Sequence, residues 1–200
     1  ANNIWVNVTY LSSETFNNLD KYNGVVIPGG FGYRGIEGMI KVATYCRENN
    51  KPLLGICLGM QIMCIASVRK TNSYCSSSEF IKDGKYNVVI SIDELDHTQM
   101  GGTMKLGLRK TYLTNTSSHA YQIYQNTCIY ERHRHRYEIN PEYRSILAKD
   151  GLVITGQDGK NRIDIVEDPN HPFYMGCQYH PEYINSLKTP SKVFTYFINK

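Results

Sequence analysis

The sequence predicts an α/β fold: a single three-layer domain with a mostly parallel central sheet, helices on both faces, and additional antiparallel strands toward the C-terminus. Three observations carry that expectation. Short apolar runs stop at glycine or proline, as buried strands do. Between these runs, apolar residues recur at helical spacing, so strand and helix alternate through the first third of the chain. Beyond it, strand-like runs dominate and helical stretches become scarce.

Taken in order, Ile4, Val6 and Val8 recur at every second position and read as a strand. Gly24-Val25-Val26-Ile27 is a buried strand halted by Pro28-Gly29-Gly30. Ile36, Met39, Ile40 and Ala43 place a helix that ends near Asn49-Asn50, before Lys51-Pro52. Leu53-Leu54-Gly55-Ile56 is the next strand, and 58–68 the next helix. Strand and helix in this order give parallel strands joined by crossover helices. Strands are then expected at 88–92 and 104–108, on either side of Gly101-Gly102, and at 152–155, 162–166 and 173–179. Helices in this half are expected over 142–149 and 192–198.

With 200 residues, 41% of them hydrophobic and 20% charged, the chain has the composition of one globular core rather than of a disordered segment. A net charge of +4 is too mild to make nucleic acid an expected partner. No apolar run is long enough to span a membrane. The start, Ala1-Asn2-Asn3-Ile4-Trp5, has neither the basic nor the apolar stretch of a signal peptide. The expectation is a cytoplasmic protein with no membrane partner. Six cysteines are scattered without any C-x-x-C pair, which suits reduced thiols better than disulfides or zinc, and no metal is expected.

One of the six stands apart. Gly55-Ile56-Cys57-Leu58-Gly59 has the form G-x-C-x-G at a strand-to-helix corner, the setting of a nucleophile elbow. Glycine on both sides removes side chains that would collide in so tight a turn. The helix start favours a thiolate at Cys57, which predicts a lowered thiol pKa, and it aims the Leu58 N–H at a developing oxyanion. Taken alone, the pentapeptide fits a buried small residue in a glycine turn equally well.

A cysteine nucleophile needs a base. Gln178-Tyr179-His180-Pro181-Glu182 supplies a histidine at the end of an apolar strand, with a carboxylate two residues on. Extended residues i and i+2 share a face, so Glu182 can hold one ring nitrogen of His180 and leave the other for the thiol. A triad of Cys57, His180 and Glu182 follows. No other histidine has a carboxylate at i+2: His97 and His119 lie in polar, loop-like stretches, His133 and His135 in an arginine-rich strand, and His171 before Pro172.

The most charged stretch is Glu131 to Glu138, ERHRHRYE. Read as a strand, it puts Arg132, Arg134 and Arg136 on one face and His133, His135 and Tyr137 on the other. An RNA-binding strip, a histidine metal site and a small-anion site all fit that pattern, as does a salt-bridged strand. An arginine gripping a carboxylate suits the flanking glutamates and modest charge better than nucleic acid does.

Together these motifs resemble the class I glutamine amidotransferase family, whose generic signal is the cysteine elbow with H-x-E. Longer strings resemble its CTP synthase branch: Pro28-Gly29-Gly30-Phe31-Gly32-Tyr33-Arg34-Gly35, GICLGMQ from Gly55 to Gln61, Ser78-Glu79-Phe80, Gly101-Gly102-Thr103-Met104, ERHRHRYE, and Cys177 to Glu182. The arginine-rich string favours this branch over the glutaminase parts of GMP synthetase or anthranilate synthase and over γ-glutamyl hydrolases. The resemblance implies a flavodoxin-like fold and a glutaminase. In it Cys57 attacks the amide of L-glutamine, Gly29, Gly30 and Leu58 form the oxyanion hole, and Gly30, Phe31, Leu58, Gly59, Met60, Gln61, Glu79 and Arg136 contact glutamine. It implies no cofactor in this domain. For a full-length enzyme it implies ATP, Mg2+ and a GTP activator, a synthase domain on the same polypeptide that aminates UTP to CTP, and a homo-oligomer. On this reading residues 1–200 are one amidotransferase domain without the synthase domain, and without a strand and helix that the family places before Ile4. The stretch 68–78 is shorter than the family's. A non-catalytic binding or assembly module remains the alternative from another class.

Overall fold

The computed structural model describes residues 4–81, 84–92 and 104–200. The expected turn at Gly101-Gly102, Thr103 and His97 lie outside the described residues. Ten strands run in chain order: β1 Val25–Ile27, β2 Leu53–Ile56, β3 Ser76–Ser77, β4 Asn87–Ser91, β5 Lys105–Leu113, β6 Cys128–His135, β7 Tyr137–Ile139, β8 Val153–Gln157, β9 Ile163–Glu167 and β10 Tyr174–Cys177. The helices are α1 Ile36–Glu48, α2 Leu58–Arg69, α3 His119–Tyr124, α4 Arg144–Lys149 and α5 Lys192–Phe197, with short 3-10 turns at Pro141–Tyr143 and Pro181–Ile184.

Seven strands form the central sheet in the order β1-β2-β10-β9-β8-β5-β6, and β3-β4-β7 form a small second sheet. β1, β2 and β10 are parallel. β9, β8, β5 and β6 extend the sheet through antiparallel pairings. The expected parallel region with antiparallel additions is therefore present, and the additions are the larger part. The antiparallel flank needs only short links, whereas each parallel neighbour needs a crossover helix.

The alternation of side chains along β2 and β10 divides the core into two layers. Leu53 and Tyr174 face one cluster with Ile36, Ile40 and Ala43 of α1, Met63 and Ile65 of α2 and Leu147 of α4. Leu54, Ile56, Met175 and Cys177 face the other, with Ala120 and Ile123 of α3 and Val193 of α5. Helices thus cover both faces. No helix among the described residues is long and apolar enough to cross a membrane.

Two expectations are corrected here. Residues 4–8 form no strand, and Trp5 and Val8 are exposed. Their alternation has the pattern of a half-buried strand, but the only strand paired with β1 among the described residues is β2, so nothing holds the segment in an extended register. His119 lies at the start of α3, not in a loop. The polar run before it is a helix cap: the Ser118 hydroxyl accepts from Tyr121 N–H at 3.0 Å, and the buried Glu167 carboxylate accepts from the N–H groups of His119 and Ala120 at 2.7 and 3.0 Å.

Candidate active site

Three segments meet at the C-terminal ends of the parallel strands: the loop after β1, the β2–α2 corner, and the segment after β10. Cys57 is the corner. Its φ of 53° and ψ of −102° lie where L-residues are strained, and its N–H donates to the Cys177 carbonyl at 2.7 Å, which holds the bend. The sulfur lies 3.9 Å from the Arg134 carbonyl oxygen. Burial pushes the thiol up to about 12; the Leu58 N–H and the Gln178 amide pull it down, while the charges of Glu182 and Glu79 add to the rise. The expected lowering is thus corrected. The helix-start effect is present, but desolvation exceeds it.

His180 is held by its backbone N–H on the Arg132 carbonyl at 2.8 Å and by Tyr183, whose ring stacks on the imidazole at 4.5 Å and 5°. Its Nδ1 lies 2.6 Å from Glu182 Oε1. A carboxylate only accepts, so Nδ1 carries a proton. Nε2 is buried and has no hydrogen-bond partner among the described residues. The sequence placed Glu182 beside His180 correctly, but by the wrong local geometry. Pro181–Ile184 is a 3-10 turn with His180 as its cap, not an extended segment. Proline at the first position starts that turn, and the turn carries the carboxylate back to the ring.

Gly29 borders both His180 and Cys57. A Cβ there would be 2.7 Å from His180 Cε1 and 3.4 Å from Cys57 Cβ, so only glycine lets the loop run beside both. A Cβ on Gly30 would meet the Leu58 side chain at 3.2 Å. Phe31 lies beneath the guanidinium groups of Arg136 and Arg134, at 5.6 and 5.9 Å. Gly32 donates its N–H to Glu79 Oε1 at 2.8 Å. Glu79, Phe31 and Arg136, far apart in sequence, are thereby grouped around one loop. Arg136 follows the last residue of β6 rather than lying within it.

Met60 and Gln61 are in the packing beneath the corner. Met60 is fully buried against Gly176, and Gln61 Nε2 donates to the Tyr137 carbonyl and to Gln178 Oε1 at 3.2 and 3.1 Å. Gln178 and Tyr183 are site residues that the sequence reading missed. Gln178 lies two residues before His180, so strand alternation could have placed both on one face.

The inner face of β6 carries Glu131, His133 and His135, all buried. His135 Nδ1 lies 2.8 Å from the Tyr137 carbonyl, which can only accept; His135 Nε2 must then accept from His133 Nδ1 at 3.0 Å. Burial, with the charge of Lys105 nearby, lowers His135 to about 3, and burial with His135 and Lys105 lowers His133 to about 2. Below pH ~6.5 the unfolded chain takes up protons that the fold refuses, so each histidine removes up to about 1.4 kcal/mol of stability per pH unit as pH falls. Glu131 and Glu138, raised by burial to about 7, contribute with the opposite sign. His135→Gln, whose amide can replace both hydrogen bonds, isolates the histidine. Its cost at pH 7.5, measured by urea unfolding, is expected to shrink by about 1.4 kcal/mol per unit from pH 6.5 downward. A pH-independent cost would mean that His135 is not neutral in the fold.

Comparisons with known proteins show the family. The family model described as glutamine amidotransferase class-I matches residues 2–200. CTP synthase of Sulfolobus acidocaldarius is 40% identical over 98% of this chain, and CTP synthase 1 of Saccharomyces cerevisiae 44% identical over 90%. The chain spans 38% and 33% of those two proteins. Among solved structures, the Trypanosoma brucei CTP synthase glutaminase domain with bound acivicin superposes with a TM-score of 0.89 at 32% identity, covering 98% of this chain and 80% of that one. A glutamine amidotransferase from Thermotoga maritima shares the fold, with a TM-score of 0.56 at 14% identity, covering 83% of this chain and 59% of that one. The chain therefore belongs to the class I glutamine amidotransferase family, among glutaminase domains of the CTP synthase kind.

Proposed function

We propose that this chain hydrolyses L-glutamine to glutamate and ammonia through a thioester on Cys57. The observation that supports it most is that Gly29 borders both Cys57 Cβ and His180, whose Nδ1 lies on Glu182 and whose buried Nε2 has no partner among the described residues. His180 Nε2 takes the thiol proton, and the sulfur attacks the side-chain amide carbon of glutamine. The Leu58 N–H, with the Gly29-Gly30 loop, receives the oxyanion. The C–N bond breaks as His180 returns the proton to the leaving nitrogen, releasing ammonia. His180 then deprotonates a water molecule that attacks the thioester, and glutamate leaves with the thiol restored. Glutamate at 79 suits the substrate ammonium and arginine at 136 its carboxylate.

In proteins of the relatives' length, the ammonia would serve a synthase domain that aminates UTP with ATP and Mg2+ under GTP control, in a homo-oligomer. The six free thiols suit the reducing cytoplasm. The test is labelling with an electrophilic glutamine analogue, followed by peptide mass spectrometry. Modification is expected at Cys57, with little at Cys46, Cys64, Cys75, Cys128 or Cys177. Equal labelling of all six, or none at Cys57, would overturn the mechanism.

A further inference from the structure

The loop after β1 is held by the same side chains that suit the substrate's head group. Gly32 has a φ of 82°, a conformation that glycine adopts without strain, and its N–H is bonded to Glu79 Oε1 at 2.8 Å. Glu79 is itself fixed: its N–H donates to the hydroxyl of Ser77 at 3.1 Å. Ser77 belongs to β3, in the small sheet, so the anchor comes from a different sheet than the one that carries Cys57. Phe31, one residue earlier, remains 46% exposed, with the guanidinium groups of Arg136 and Arg134 over its ring at 5.6 and 5.9 Å. Gly29 and Gly30, which border His180, Cys57 and Leu58, immediately precede these anchored residues. Gly32 is two peptide units from Gly30 and three from Gly29.

We propose that Glu79 is a positioning residue for the oxyanion loop as well as a contact for the substrate ammonium. One carboxylate oxygen fixes the Gly32 N–H and so sets where Gly29-Gly30 lies beside Cys57. The other oxygen accepts from the ammonium, as a carboxylate with two acceptor atoms can. The inference rests on the glutaminase reading and deepens it. Head-group recognition and oxyanion stabilisation share one side chain, so losing that side chain affects the chemical step as well as binding.

The two tasks separate chemically. Glu79→Gln keeps an acceptor oxygen for Gly32 but removes the charge that suits an ammonium; Glu79→Ala removes both. The substrate 4-carbamoylbutanoate, which is glutamine without its α-amino group, makes no use of the ammonium contact. With glutamine, Glu79→Gln is expected to raise KM by about tenfold or more with kcat within about threefold, as loss of a binding contact does. Glu79→Ala is expected to raise KM and also to lower kcat by about 10- to 100-fold, the scale of a misplaced oxyanion donor. With 4-carbamoylbutanoate, Glu79→Gln should match the unmodified protein within about threefold, whereas Glu79→Ala should fall by about tenfold or more. If both variants match the unmodified protein on that substrate, the ammonium contact is the whole role of Glu79 and the proposal is overturned. Amide hydrogen exchange of Gly32, read by NMR, needs no turnover. It should be slow in the unmodified protein and in Glu79→Gln, and at least about tenfold faster in Glu79→Ala. Equal rates in all three would also overturn the proposal. Absence of ammonia release by the unmodified protein would count against the glutaminase reading, while the exchange rates would still decide the loop contact.

Discussion

Cys57→Ala, His180→Ala and the double variant are expected to release ammonia from glutamine at pH 7 at similar residual rates, lower than that of the unmodified protein by about 10^4-fold or more. The similar rates follow from the two side chains acting as a unit, because at neutral pH the thiol is a poor nucleophile without its base. The size follows from the state of the thiol. With burial holding Cys57 at about 12, the thiolate fraction at pH 7 without a base is about 10^-5. His180 is therefore the means by which the sulfur becomes a nucleophile, and Glu182 keeps the proton on Nδ1 so that Nε2 can accept. The sign of a pH effect is also set. In His180→Ala the residual rate should climb about tenfold per pH unit above 7, because hydroxide replaces the missing base. In Cys57→Ala it should not climb. Ammonia release measured from pH 7 to 9, with circular dichroism to check folding, tests both points. A loss below about tenfold in His180→Ala, or a double variant far slower than either single one, would show that the two do not form a catalytic unit.

The parts of the fold legible in the sequence are those in which local pattern and tertiary burial agree. β1, α1, β2 and α2 were all expected within a few residues of where they lie. The apolar runs of β2 and α2 are buried, whereas β1, expected as a buried strand, is an edge strand with Val26 exposed; the ends of these elements coincide with Pro28-Gly29-Gly30, Asn49 and the Gly55–Gly59 corner. Failures arose where a tertiary partner decides. The alternation at Ile4, Val6 and Val8 is a strand pattern without a strand to pair with. α3 is a helix of six residues whose start is fixed by Glu167, a residue 48 positions beyond His119 and invisible to any local reading. β5 runs to Leu113 rather than stopping near 108, because its whole length pairs with β6 from Lys105↔His135 to Tyr112↔Cys128.

At the site, residue types were more legible than their conformations or their protonation. Cys57 and His180 both border Gly29, and Glu182 lies on His180 Nδ1. The thiol's resting state was misjudged because the sequence reveals the helix that follows Cys57 but not the depth of its burial. Glu79 shows the same limit. A glutamate opposite an arginine is readable as a head-group pair, whereas its hydrogen bond to Gly32 depends on how the small sheet is placed against the loop after β1.

Gly59→Ala is expected to cost about 3 kcal/mol or more of stability and to abolish ammonia release with it. Gly59 is the second residue of α2, where alanine is ordinarily the better helix former. Here packing reverses the sign. A Cβ on Gly59 would lie 2.1 Å from the Ile27 carbonyl oxygen and 3.0 Å from its carbon, and both atoms are backbone of β1. Neither can rotate away, so either α2 must lift off the sheet or β1 must break from β2. Gly55, which opens the corner, is crowded in the same way by the backbone of Gly59, so the two glycines hold helix and strand at contact on both sides of Cys57. Lifting α2 moves the Leu58 N–H and the Cys57 bend together, so activity is lost along with stability. Gly159→Ala is the control. Among the described residues its added Cβ would meet only the Tyr112 ring, at 3.9 Å, so it should change stability by no more than about 0.5 kcal/mol and leave turnover intact. Urea unfolding of both variants separates the outcomes. A Gly59→Ala protein as stable as its parent would show that α2 does not approach β1 this closely, and the steric basis for glycine at that end of the corner would be lost.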